Sequence, residues 1–100
     1  MAFILLFAAE VQEDLQQGID WYNEQQKGLG SRFFTSVKEQ ITRISKSPAS
    51  IAIRYDEVRC VKIRDFPYLI HFMIFPDTNT VKIIAVFSTH RDPQMWKSRL

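Results

Sequence analysis

The stretch Val58–Pro93, VRCVKIRDFPYLIHFMIFPDTNTVKIIAVFSTHRDP, decides the fold. It holds three runs rich in β-branched and aromatic residues, Val58–Arg64, Tyr68–Phe75 and Val81–Phe87. Asp65-Phe66-Pro67 and Pro76-Asp77-Thr78-Asn79 separate them. Runs of this kind bounded by turn-forming residues predict a three-strand antiparallel meander.

A tight connection at Asp65-Phe66 sets Ile63 opposite Tyr68, Val61 opposite Ile70 and Arg59 opposite Phe72. Because side chains alternate with period two, one face then carries Val61, Ile63, Tyr68, Ile70 and Phe72, and this is the expected core. The other face carries Cys60, Lys62, Arg64, Leu69, His71 and Met73. That surface is read as open, with two cations and a histidine on apolar ground, and any site is expected there.

Working outward, Phe3–Phe7 is a short continuous apolar run whose length and β-formers predict a strand covered on both faces, joining the meander as a fourth. Glu10, Glu13 and Asp14 then place anions where a helix N-terminus favours them. Val11, Leu15, Ile19 and Tyr22 repeat at helical spacing to about Gln26, and Gly28 and Gly30 end this helix with a tight turn. A second helix runs from about Ser31 on a stripe of Phe34, Val37, Ile41 and Ile44, and Ser47-Pro48 stops it. Residues 48–57 read as a connecting loop. After the last strand, Asp92 caps a short helical tail with Pro93 in its first position. The expected fold is α+β, in the order β-α-α-β-β-β. A helical hairpin packs on one face of a small antiparallel sheet, a short C-terminal helical tail follows, and residues 1–100 form a single domain.

Composition agrees with such a domain: 100 residues, 46% hydrophobic and 24% charged, are enough for one core without staples. Cys60 is the lone cysteine, so neither a disulfide framework nor a cysteine-rich metal site is expected, and no cofactor is called for. The apolar start lacks a positive flank and is too short for a membrane span, so the chain is read as cytoplasmic, with no membrane partner. Residues 1–26 hold five acids and no cation, whereas residues 51–100 hold eight Lys and Arg against five Asp and Glu. A basic sheet behind an acidic helix could meet an anionic partner.

The ordered set Ala9, Asp14-Leu15, Trp21-Tyr22, Gly28-Leu29-Gly30, Arg32-Phe33, Ile44, Pro48, Val58-Arg59, Phe66-Pro67-Tyr68, Ile70, Phe72, Ala85-Val86, Arg91-Asp92-Pro93 and Trp96 resembles the RelE/ParE superfamily of bacterial type II toxin-antitoxin toxins. The resemblance covers nearly the whole chain. It implies a small toxin held inactive by an antitoxin whose C-terminal segment wraps the sheet and helices. It also implies one of two chemistries: RelE-like members are ribosome-dependent mRNA endoribonucleases, and ParE-like members are described as inhibitors of DNA gyrase.

In the ribonuclease branch cations cluster on the sheet face, with a Tyr in the tail. The corresponding places here hold Cys60, Lys62, Leu69, Thr89 and Met95 or Trp96, so only Lys62 matches. RNA cleavage by its own 2′ oxygen needs a proton acceptor, a proton donor and cations for the charge building on phosphate. If the chain were a ribonuclease, Lys62, Arg64, His71, His90 and Arg91 would be the candidates. The mismatch favours the ParE-like branch. A third reading, a binding module of the same fold without toxicity, stays open.

Residues expected to touch an antitoxin or target are Lys62, Arg64, Leu69, His71, Met73, His90, Arg91, Trp96 and Arg99. Several of these, and other residues that stand out, have a plainer alternative. His71 is more often a half-buried strand residue than a proton carrier. Lys62 and Arg64 equally serve to keep a strand face soluble. Trp21 and Tyr22 read as core between helix and sheet. Cys60 reads as a small strand residue rather than a reactive thiol.

Overall fold

In the run Val81–Phe87 every residue but Lys82 is apolar, so this strand has to be covered on both faces, and the architecture follows from how that is done. The computed structural model describes residues 3–100. Five strands, β1 (Ile4–Phe7), β2 (Ile53–Tyr55), β3 (Val58–Lys62), β4 (Tyr68–Phe75) and β5 (Thr80–Ser88), form one sheet in the order β1-β5-β4-β3-β2. β1 runs parallel to β5 and the other pairings are antiparallel. Two helices, α1 (Ala9–Gln25) and α2 (Leu29–Lys46), pack on one face, and the tail, a 3-10 helix at Pro93–Arg99, covers the other. The α+β order holds, with one strand more than the sequence reading gave.

The central register is the expected one. Val61 pairs with Ile70 and Arg59 with Phe72, and the Ile63 N–H donates to the Tyr68 carbonyl at 3.1 Å. Ile63, Ile70 and Phe72 are buried against Val11, Tyr22, Phe33, Val37 and Ile44 of the helices, with Val61 and Tyr68 partly buried alongside. A bulge between β4 and β5, where His71 faces Ala85 but Phe72 faces Ile83, leaves Ile84 as the extra residue. Val81, Ile83 and Val86 therefore join the helix-side core, while Ile84, Ala85 and Phe87 join a second cluster on the far side.

Five expectations need correction. The buried aromatic of α2 is Phe33, not Phe34, which is 37% exposed beneath the Lys38 ammonium. Gly18 selects between them, because a Cβ there would stand 2.6 Å from the Phe33 ring, so only a residue without a side chain lets that ring reach the core. Trp21 is exposed; Tyr22 alone enters the core, with Phe33, Phe66 and Tyr68. The connection after Pro48 contains β2, joined to β3 by Asp56-Glu57, both at positive φ. Two-residue hairpins want that geometry, but its usual signal is an Asn-Gly or Asp-Gly pair. Finally, β1 lies at the sheet edge with Ile4, Leu6 and Phe7 exposed rather than covered on both faces. At the helix link Gly28 takes the left-handed turn, φ 87°, and Gly30 instead lies inside α2, where its N–H donates to the Asn23 side chain.

Two measurements check this packing. By chemical denaturation, Phe33→Ala costs about 3 to 5 kcal/mol, while Phe34→Ala costs well under half of that. Gly18→Ala, although it improves helix propensity, destabilises by roughly 1 to 3 kcal/mol because the added methyl overpacks against Phe33.

Candidate functional site

Asp92 accepts a hydrogen bond from the Gln94 N–H at 2.9 Å, and Pro93 follows at the first position, so the chain turns sharply after β5 and crosses back over the sheet. The expected cap is thus present, on a 3-10 rather than an α-helix. The crossing presses Trp96 onto Val58, Leu69, Ile84, Ala85 and Phe87, with Tyr55, Cys60 and Met73 at the border. The face expected to be open is a second small core.

His71 sits inside it, fully buried, with the rings of Trp96 at 4.9 Å, Phe87 at 5.3 Å and Tyr55 at 5.8 Å. Its Nδ1 lies 3.0 Å from the Tyr55 hydroxyl and 3.3 Å from the Cys60 sulfur. Burial, reinforced by Arg54, lowers its pKa to about 4. Burial also pushes Tyr55 up to about 12 and the Cys60 thiol up to about 11. At neutral pH all three are uncharged. A neutral imidazole accepting at Nδ1 from Tyr55 carries its hydrogen on Nε2, which meets no hydrogen-bond partner among the described residues.

Asp14 and Arg99 fix the tail at its far end. Arg99 donates from Nη1 and Nη2 to the two Asp14 oxygens at 2.8 and 2.7 Å, and also from Nη1 to the Ile84 carbonyl at 3.2 Å. Asp14 accepts in turn from the Val86 N–H at 3.1 Å. β1 pairs with β5 only up to Ile83, so the outward backbone groups of Ile84 and Val86 have no strand beside them. The ion pair accepts from one and donates to the other, as a residue of a parallel neighbour would. Asp14 is buried, and its hydrogen bond holds the Arg99 pKa above its ordinary value. The sequence signal for this was Asp14 itself, a carboxylate three residues after Val11 and four before Gly18, within the buried stripe of α1. Nothing in the sequence pointed to Arg99 as its partner.

The remaining candidates are dispersed. Lys62 is exposed, its ammonium donating to the Ile63 carbonyl at 3.1 Å. β3 ends before Arg64, which turns to the helix layer and lies 3.5 Å from Glu39 of α2, both exposed. Leu69 and Trp96 are buried together, and Met73 borders them. His90 and Arg91 lie past the end of β5, on a cleft of about 390 Å³ between α1 and the sheet. Trp21 and Tyr68 also line this cleft. Burial raises the Tyr68 pKa, and the positive charge of Arg91 opposes that rise. Arg91 also stacks on the Phe87 ring, 4.5 Å from its centroid.

Among the described residues no group of three His, Cys, Asp or Glu is placed to hold a metal ion, and no helix is long and apolar enough to cross a membrane.

Two outcomes follow from the sealed face. As pH falls from 6.5 towards 4, the unfolded chain takes up a proton at His71 that the native state refuses, so stability drops by up to roughly 3 kcal/mol and then levels. His71→Phe flattens that part of the denaturation profile. Arg99→Ala strands the buried Asp14 carboxylate and costs about 3 to 5 kcal/mol near neutral pH.

Residues 5–93 match the family model described as ParE toxin of type II toxin-antitoxin system, parDE. No curated protein matches the chain in sequence. In fold it is similar to a chain of the chromosomal ParDE system from P. aeruginosa, with TM-score 0.76 and 14% identity over 87% of this chain and 96% of that one. It is also similar to a chain of the intact E. coli RelBE toxin-antitoxin complex, TM-score 0.68 and 18% identity over 90% and 100%. The isolated E. coli RelE toxin gives TM-score 0.67 and 17% identity over 97% and 95%. With a family model spanning most of its length, the chain belongs to the ParE toxin family of type II toxin-antitoxin systems.

Proposed function

We propose that the chain is a toxin neutralised by a cognate antitoxin, and that when free it works in the cytoplasm on DNA gyrase rather than cutting ribosome-bound mRNA. An antitoxin partner fits the family, and the ParDE and RelBE structures similar in fold are toxin-antitoxin assemblies.

The observation that carries the choice of target is the tail-covered face. A ribonuclease needs an acid, a base and cations converging on one reachable phosphate. Here His71 is buried and neutral, Tyr55 and Cys60 are held protonated, Arg64 turns to the helix layer, and Lys62 stands apart on β3. A gyrase inhibitor needs none of that chemistry. It needs a rigid surface, and the tail stapled across the sheet supplies one, with His90 and Arg91 as exposed or partly exposed polar contacts.

Purified protein is expected to inhibit gyrase supercoiling, to lose that effect on adding the antitoxin, and to leave ribosome-bound mRNA intact. His71→Phe and Lys62→Ala should both stay within about threefold of the wild-type inhibition, as substitutions away from an interface do. Codon-positioned cleavage of translated mRNA, lost in Lys62→Ala, would replace this reading with the ribonuclease one.

A further inference from the structure

The all-apolar run of β1 has the pattern of a strand covered on both faces, yet it lies at the sheet edge with half or more of Ile4, Leu6 and Phe7 exposed. Its backbone is as open as its side chains. The Ile4 N–H donates to the Asn79 carbonyl and the Ala8 N–H to the Ile83 carbonyl, each at 2.9 Å, so these alternate residues turn their backbone groups towards β5. Those of Phe3, Leu5 and Phe7 therefore point outward, where no strand lies beside them among the described residues. Edge strands are normally guarded by a charge, a proline, a bulge or extreme shortness. The opposite edge, β2, is three residues long, carries Arg54 and meets β3 through a register shift. β1 holds neither a charge nor a proline, and its ladder with β5 is regular.

A groove of about 470 Å³ runs beside β1 on the helix side, with Phe7 and the half-open Phe34 on its walls and no charged side chain lining it. An uncharged edge beside an uncharged groove offers a charged partner nothing to pair with. A second copy of the chain brings the same edge and the same groove, and a strand set antiparallel to itself across a two-fold axis is self-complementary. At their exposures Ile4, Leu6, Phe7 and Phe34 leave about 400 Å² of surface open per copy, the size of patch that marks an interaction site on a monomer. Two such patches with the groove walls between them come to about 1,200 Å², the lower end of specific interfaces, which suits a reversible dimer.

We propose that two copies of this chain pair through their β1 edges, antiparallel and centred on Leu5, joining two five-stranded sheets into one. The backbone sets the register. Only residues whose groups point outward can exchange hydrogen bonds, so Leu5 faces the partner's Leu5 and Phe3 faces the partner's Phe7. A centre shifted by one residue leaves Phe3 or Phe7 unpaired within this segment. Ile4 then stands opposite the partner's Leu6, and because paired side chains share a face, both apolar residues are covered at once. With the axis perpendicular to the sheet, the two helix layers lie on the same side and the partner's Phe3 comes down at the mouth of the groove beside Phe7. The pairing does not depend on whether gyrase is the toxin's target.

The test uses the full chain. Sedimentation equilibrium is expected to find a monomer at about 1 µM and mostly dimer at several hundred micromolar, as an interface of this size allows. Leu6→Lys, at a half-exposed position, should keep the fold by circular dichroism and weaken association at least about tenfold, because it places a charge in an apolar contact. Cross-linking reads the register in a Cys60→Ser background. Ile4→Cys and Leu6→Cys chains, when mixed, should form a disulfide with each other, and neither should form one with itself, since only the mixed pair lies within bonding distance. A chain that stays monomeric at several hundred micromolar, a dimer that Leu6→Lys leaves intact, or self-linking equal to the mixed product would overturn the proposal. Hydrogen exchange separates the other occupant: Leu5 and Phe7 amides protected only with an antitoxin bound, and never by raising the concentration of the chain alone, would give the edge to that partner and overturn the proposal as well.

Discussion

β5 is apolar on both faces, and the rest of the structure answers that constraint. Val81, Ile83 and Val86 are covered by the two helices, as the sequence pattern of any α+β domain would lead one to expect. Ile84, Ala85 and Phe87 need a second cover, and the tail provides it through Trp96. A 3-10 segment of seven residues has little intrinsic stability, so it is held by what it inserts and by what it clamps. Trp96 fills the cluster beneath Arg54, whose guanidinium lies 5.4 Å from the indole ring, and Arg99 reaches Asp14 on α1. The ion pair ties the tail, the first helix and the unpaired edge of β5 to one another, which is why a carboxylate can be buried at Asp14 at all.

Much of this was legible in the sequence. The meander's turns carry Asp65 at φ 69° and Asn79 at φ 52°, residue types that tolerate such geometry, so the three strands and their register were readable. The Asp92-Pro93 cap was readable because an acceptor side chain followed by proline marks the start of a helical turn. What was not readable depended on contacts between distant segments. Phe33 and Phe34 both extend a helical stripe through Val37, and only the fit against Gly18, fifteen residues earlier, chooses between them. β2 was hidden because Asp56-Glu57 makes its turn without glycine. The face opposite the helices looked open because period-two reasoning assigns side chains to a face but cannot say what later covers it.

That last point bears on function. Lys62, His71 and Arg64 are close in the sequence pattern, and a reading of the strands alone assembles them into one catalytic surface. In three dimensions one is buried, one faces the helix layer and one is a solvated cation. The sealed sheet face therefore does not bring these three side chains together on one open surface. Of the candidate residues, His90 and Arg91 border the cleft at the end of β5.

The sheet face is sealed only while the tail is closed in solution, and the two tryptophans report on this within one molecule. Trp96 is 7% exposed with its indole N–H unpartnered among the described residues, and Trp21 is 53% exposed on α1. Hydrogen exchange of the two indole N–H groups, followed by NMR at neutral pH, is the most direct measurement. If the tail is part of the folded core, Trp96 exchanges only as fast as the protein unfolds, while Trp21 exchanges at nearly the rate of a free indole. Comparable rapid exchange at both would show a frayed tail and an open sheet face with His71 within reach of solvent, contradicting the account.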